Sequence, residues 1–169
     1  AGVVKKVLDS LSINKCVIAG HSMGGYVSLA FAQKYPEMMK GLVLFHSHAR
    51  ADSPPAKKNR ERTIEAVRKN HTGFIHDFIP SLFAKDNVSG FSVEIEKLRN
   101  RSASTSRKGI IAALEGMKSR ESGLSVLTEI DAPVLFIAGK KDARIPVDTV
   151  IEQAVLPAHS EMLILEGVG

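Results

Sequence analysis

The chain has 169 residues, 44% of them hydrophobic and 24% charged, with a formal net charge of +5. That balance suits one compact α/β body and excludes a disordered or fibrous chain. No apolar run approaches the roughly 20 residues of a membrane span, and a single cysteine, Cys16, leaves no intramolecular disulfide, as suits a cytoplasmic protein.

Val3, Val4, Val7, Leu8 and Leu11 recur at helical spacing from almost the first residue. A helix starting so early, with no initiator methionine before it, is expected of a segment that begins inside a larger domain. Residues 16–19, Cys-Val-Ile-Ala, read as a buried strand with Cys16 a small core hydrophobe. Gly20-His21-Ser22-Met23-Gly24 follows at once and leads into the small-residue stretch from Gly25 to Ala30. A strand that turns abruptly into a helix strains its corner residue, and small neighbours two positions before and after make room for it. The pattern alone occurs by chance, but the strand before and the helix after point to a nucleophile elbow. The helix runs to about Tyr35 and is stopped by Pro36. Residues 41–45, Gly-Leu-Val-Leu-Phe, form the next short buried strand.

From residue 51 to about 127 the sequence is polar and helical in period, opening with Asp52-Ser53-Pro54-Pro55. It reads as a helical insertion between two core parts, 1–50 and 128–169. Residues 52–127 hold 14 Lys and Arg against 9 Asp and Glu, so the insertion carries the whole net charge. Lys57, Lys58, Arg60, Arg62, Arg68 and Lys69 are interleaved with Glu61 and Glu65 and lack stacking aromatics, which favours a solvated helix face over nucleic-acid binding. Such a face retains a modest attraction for anionic substrates. Past the insertion come a strand over 134–138, a loop through Asp142, a helix over 147–155 and a strand over 162–165. Strand and helix alternating in this way imply a parallel sheet with helices on its faces.

A serine hydroxyl needs a histidine to take its proton, an acid to orient that histidine, and donors for the oxyanion. Ser22 is the candidate nucleophile, and the backbone amide of Met23, at the helix start, is a candidate oxyanion donor. Together with Ala132-Pro133-Val134-Leu135-Phe136-Ile137-Ala138-Gly139-Lys140-Lys141-Asp142 and Ile145-Pro146, the Gly20–Gly25 run resembles the α/β-hydrolase superfamily. The likeness is strongest to small esterase and carboxylesterase-type members with a helical cap, and it covers nearly everything outside the insertion.

That resemblance implies a partial α/β-hydrolase fold, with the insertion as cap and Asp142 as the catalytic acid; a plain loop aspartate beside Lys140, Lys141 and Arg144 is the alternative. The family's histidine belongs in a loop after the last strand, so it is expected directly after Gly169. Of the six histidines present, His46 and His48 follow a strand end that shares the elbow's edge of the sheet, which makes them the alternative candidates to replace that base. His21 is expected to pack or orient the turn, His71 and His76 to face solvent or the cap, and His159 to lie on the surface. His21, His48, Phe74 and Phe78 are candidate pocket residues, with Ile79, Leu82, Phe83 and Phe91 completing an apolar lid. Lacking its base and a second oxyanion donor, the segment by itself is expected to be nearly inactive.

The expected chemistry is hydrolysis of a carboxylic ester or thioester through an acyl-Ser22 intermediate, the substrate being a small molecule rather than nucleic acid or membrane. Carbon-carbon bond hydrolases and perhydrolases use the same triad, and a small-molecule sensor on the same fold is the alternative of a different class. A serine in the elbow disfavours the dehalogenase and epoxide hydrolase branches, which use a carboxylate. No metal-ligand cluster or phosphate loop calls for a metal or cofactor.

Overall fold

The computed structural model describes residues 1–169. Four strands, β1 (Cys16–His21), β2 (Met39–Phe45), β3 (Val134–Gly139) and β4 (Ser160–Leu165), form one parallel sheet in the order β1-β2-β3-β4. Around it lie α1 (Gly2–Ser10), α2 (Met23–Lys34), α7 (Leu124–Glu129) and α8 (Val147–Ala154). Between β2 and β3 the chain makes α3 (Pro54–Lys69), α4 (His71–Phe78), α5 (Ser92–Ser102) and α6 (Arg107–Ser119), with no strand.

Two compact units result, one of Ala1–Arg50 with Glu121–Val168, the other of Ala51–Arg120 with Gly169. In the first, the middle strands β2 and β3 bury Leu42, Leu44, Val134, Phe136 and Ala138 against Phe31 of α2 and Val150 of α8. These strands read as continuous apolar runs because both their faces are covered. The outer strands behave differently. Of β1 only Gly20 is buried, Val17 is 61% exposed, and Cys16 is half-buried rather than the core residue expected. β1 pairs with a neighbour on one side only, so an apolar strand sequence here did not bring full burial.

The end of the insertion also differs from the sequence reading. Val126 and Leu127 of α7 are buried in the core of the first unit, so the second unit ends at Arg120 rather than near residue 127. Helical period alone cannot say which core a helix joins. Ala49 and Gly123 mark the exit and re-entry of the chain: the Gly123 amide donates to Ala49 O at 2.7 Å, and the Ala49 amide donates to Gln153 Oε1 at 2.6 Å. Gln153 is 1% exposed, yet its Nε2 donates to Thr149 O at 2.8 Å, so both ends of its amide are satisfied.

In the second unit, Ser53, Asn70 and Ser106 cap α3, α4 and α6 by accepting from Ala56, Gly73 and Gly109 amides. Ile64 and Val67 of α3 pack on Leu114 of α6, while Ile75, Ile79 and Ile95 form a second cluster. Lys57, Lys58, Arg62, Arg68 and Lys69 are exposed as expected, but Arg60 is half-buried and turned to Asp52. Asp52 opens the unit and Arg120 closes it; Arg120 Nη1 donates to Asp52 Oδ1 at 2.5 Å and to Met117 O at 2.8 Å, while Arg60 Nε donates to Asp52 Oδ2. Burial pushes the Asp52 carboxyl up, but hydrogen bonds and charge from Arg60 and Arg120 outweigh it and hold its pKa below the ordinary carboxylate value of 3.8. No helix is long and apolar enough to cross a membrane.

A carboxylate whose folded pKa is depressed contributes stability that is present above its unfolded value and lost as pH falls through the folded one. Urea unfolding should therefore show stability falling from about pH 5 downward, and Asp52→Asn should flatten the part of that slope owed to Asp52. At neutral pH, Asp52→Asn leaves two half-buried arginines without their counter-charge and should cost about 1–3 kcal/mol. An unchanged urea midpoint at neutral pH would show that the clamp contributes nothing.

Candidate active site

The corner between β1 and α2 is built on a serine in a backbone conformation that L-residues avoid. Ser22 has φ 51° and ψ −117°, while Met23 is already the first residue of α2. Such a conformation costs on the order of 1–3 kcal/mol and persists only when neighbours over-determine it. They do so here. The Ser22 amide donates to Phe45 O at 2.9 Å, and Ser22 O accepts from the Gly25 amide at 2.9 Å and from Ser47 Oγ at 2.8 Å.

Two glycines allow that closeness, and they are not the pair flanking the serine symmetrically. A Cβ on Gly20 would lie 2.4 Å from Gly24 O and 2.4 Å from Ser28 Oγ; on Gly25 it would lie 2.1 Å from Ser47 Oγ. A Cβ on Gly24 would meet nothing within 4 Å. The steric demand thus falls on Gly20 and Gly25, whereas the sequence pattern placed it on Gly20 and Gly24.

Asp142 lies in the loop after β3. Its Oδ1 accepts from the amides of Arg144 at 2.8 Å and Ile145 at 2.9 Å, and its Oδ2 lies 2.8 Å from His46 Nδ1. The turn-capping role and a facing histidine partner thus coexist in one carboxylate. The segment after β4 is laced to the same loop. The Lys140 amide donates to Leu165 O at 3.0 Å, the Lys141 amide to Val168 O at 2.8 Å, and Lys140 Nζ to Glu166 Oε1 at 2.6 Å. Gly139 makes this approach possible, since a Cβ there would lie 2.3 Å from Val168 O.

Among the other candidates, His21 is exposed and its ring lies 5.1 Å from Phe45 and 6.0 Å from His46. His48 meets Tyr26 of α2, with Nε2 3.4 Å from the phenolic oxygen and the rings edge to face. Met23, as the first helical residue, has an amide with no intrahelical acceptor. In the second unit Phe74 stacks on Phe78 at 5.2 Å and packs against both apolar clusters. Phe83 and Phe91 lie 6.0 Å apart, Leu82 is exposed, His71 half-buried, and His76 exposed beside Asp77. His159 is exposed. No group of three or more His, Cys, Asp or Glu side chains is placed to hold a metal ion.

Sequence reasoning missed Ser47 altogether and did not pair His46 with Asp142. Ser47 is 1% exposed and its hydroxyl holds the elbow carbonyl, but a serine in a post-strand loop carries no pattern that announces this. For His46 the signal was its place just after the strand next to the elbow strand. Its partner lies 96 positions away and only the sheet brings it near.

Gly20→Ala should cost about 1–3 kcal/mol as an overpacked backbone contact, whereas Gly24→Ala should be neutral or stabilising by up to about 1 kcal/mol, as alanine replaces glycine inside a helix. Denaturant midpoints of the two variants check this; a larger loss for Gly24→Ala would invert the steric account.

The family model described as serine aminopeptidase, S33, matches residues 1–156. A thermophilic esterase from Thermogutta terrifontis is 35% identical, with a TM-score of 0.88 over 96% of this chain and 61% of that one. The enol-lactonase of Burkholderia xenovorans LB400, 23% identical with a TM-score of 0.86 over 97% of this chain and 62% of its own, shares the fold. A 2-hydroxy-6-oxononadienedioate/2-hydroxy-6-oxononatrienedioate hydrolase of Pseudomonas putida is 28% identical over the whole of this chain and 61% of its own length. The chain thus spans about three-fifths of the proteins it resembles. The strained serine between β1 and α2, the parallel sheet behind it and the match over residues 1–156 agree: the chain belongs to the serine aminopeptidase S33 family, within the α/β-hydrolases.

Proposed function

We propose that this chain carries the nucleophile, Ser22, and the acid, Asp142, of a serine hydrolase acting on a small carboxylic ester or thioester. The observation that carries the reading is the backbone of Ser22, strained at the end of β1 and held by Phe45, Gly25 and Ser47. Strain of this kind serves no packing purpose that a glycine would not serve better, and it presents the hydroxyl at the carboxyl end of the sheet.

In the proposed reaction, Ser22 Oγ attacks the carbonyl carbon while a histidine takes its proton. The oxyanion accepts from the Met23 amide, aided by the positive end of α2. Collapse forms acyl-Ser22 and releases an alcohol or thiol that regains the proton from the histidine. Water, deprotonated by the same histidine, then attacks the acyl carbon and restores Ser22. The base is assigned to a histidine following Gly169 in the full-length protein. The lacing of residues 166–168 to the loop of Asp142 supports that assignment, because it directs the chain toward the acid. The helical insertion is assigned the role of a cap, and its net positive charge favours substrates bearing a carboxylate.

A carbon-carbon bond hydrolase is the second reading, favoured by the Pseudomonas putida relative, which is aligned over the whole chain. The same serine machinery would then release a carbon leaving group.

The full-length protein should be labelled at Ser22 by a fluorophosphonate and should hydrolyse a short-chain aryl ester. Ser22→Ala should abolish labelling and lower kcat by about 10⁶-fold, and Asp142→Asn should lower kcat by about 10⁴-fold. Turnover of the relative's dienedioate in preference to the ester would decide for the second reading. A folded protein that neither labels nor turns over either substrate would leave only a binding role.

A further inference from the structure

We infer that His46 is a positioning residue that holds the carboxylate of Asp142 from the strand between nucleophile and acid. This rests on the assignment of Asp142 as the acid. His46 is the first residue after β2, and its amide donates to Ile137 O of β3 at 2.8 Å. Its φ is 45°, a left-handed value that costs a non-glycine residue energy. Here that backbone carries the side chain toward the loop after β3, where Nδ1 lies 2.8 Å from Asp142 Oδ2. The two side chains are 11% and 12% exposed, so water competes weakly for the bond.

The ring has little freedom. Phe45 lies 4.9 Å from it and His21 6.0 Å, both measured between ring centroids. On the remaining side stands Gly139, where a Cβ would lie 2.8 Å from His46 Cε1. With the carboxylate as acceptor, the bond requires the His46 tautomer that carries its proton on Nδ1. Two backbone amides hold Oδ1 and His46 holds Oδ2, which fixes the carboxylate against rotation about its own bond. Oδ2 keeps a second lone pair, which can accept the Nδ1–H of the catalytic base. His46 therefore acts through Asp142: it sets the plane and position of the group that orients the base, and touches no reacting atom.

A link of this kind should be felt in the chemical step and not in substrate binding. In the full-length protein, His46→Leu should lower kcat by about 10–100-fold, the range for partners that orient an active-site ligand, with KM unchanged. His46→Asn, whose amide nitrogen can stand near the Nδ1 position and donate to Oδ2, should restore most of the rate. His46→Gln keeps a polar side chain but moves the donor outward, and should stay impaired; it serves if the leucine variant fails to fold. Ser22→Ala and Asp142→Asn, run beside them, separate the two layers of the argument. If those two retain activity, the serine hydrolase reading itself fails. If they are inactive while His46→Leu keeps full kcat, or changes KM alone, the positioning role is overturned. It is equally overturned if His46→Asn is as inactive as Ser22→Ala and takes up fluorophosphonate no faster, for His46 would then be the base.

Discussion

Everything at the carboxyl end of this sheet depends on keeping one serine in a conformation it would not choose. The φ and ψ of Ser22 are stable only while Phe45 O receives its amide and Ser47 Oγ and the Gly25 amide reach its carbonyl. Those three contacts dictate local composition in turn. Gly20 must lack a side chain because the backbone of Gly24 and the hydroxyl of Ser28 fill that space, and Gly25 must lack one because Ser47 fills its own. The start of α2 at Met23 follows from the same corner, since the chain has already reversed direction by then.

Three consecutive residues at the end of β2 do most of the joining. Phe45 offers its carbonyl to Ser22, His46 reaches Asp142, and Ser47 returns to the carbonyl of Ser22. Along a parallel strand the backbone hydrogen-bonding groups of successive residues turn alternately to the two neighbouring strands, so Phe45 O faces β1 while the His46 amide, donating to Ile137 O, faces β3. One short segment can therefore address β1 on one side and β3 on the other. Ser22 and Asp142, 120 positions apart in sequence, are held in register by a shared neighbour. Each unit of the chain also ties its own two ends: Ala49 to Gly123 in the sheet unit, Asp52 to Arg120 in the helical one. A long excursion between β2 and β3 costs little when its ends are fixed close together, because closure entropy grows only slowly with loop length.

The family, the strand-helix alternation, the elbow and the helical character of the insertion were legible in the order of residues. They rest on local rules: apolar runs for covered strands, 3.6-residue spacing for helices, and small residues around a sharp corner. Two misreadings were of one kind: α7 has helical period but joins the sheet unit, and Arg60 resembles its exposed neighbours yet bends to Asp52. Burial and partner choice depend on what lies across the space from a residue, and that information is not local.

By itself, then, the sequence determined that a serine would stand at a strained corner between strand and helix, and that an aspartate would follow a later strand of the same sheet. Only the tertiary structure decided which glycines the corner needs, that Ser47 steadies it, and that His46 faces Asp142. The reason is physical. Backbone strain and hydrophobic period act over a few neighbouring residues, whereas a hydrogen bond between side chains 96 positions apart exists only once the strands carrying them lie side by side.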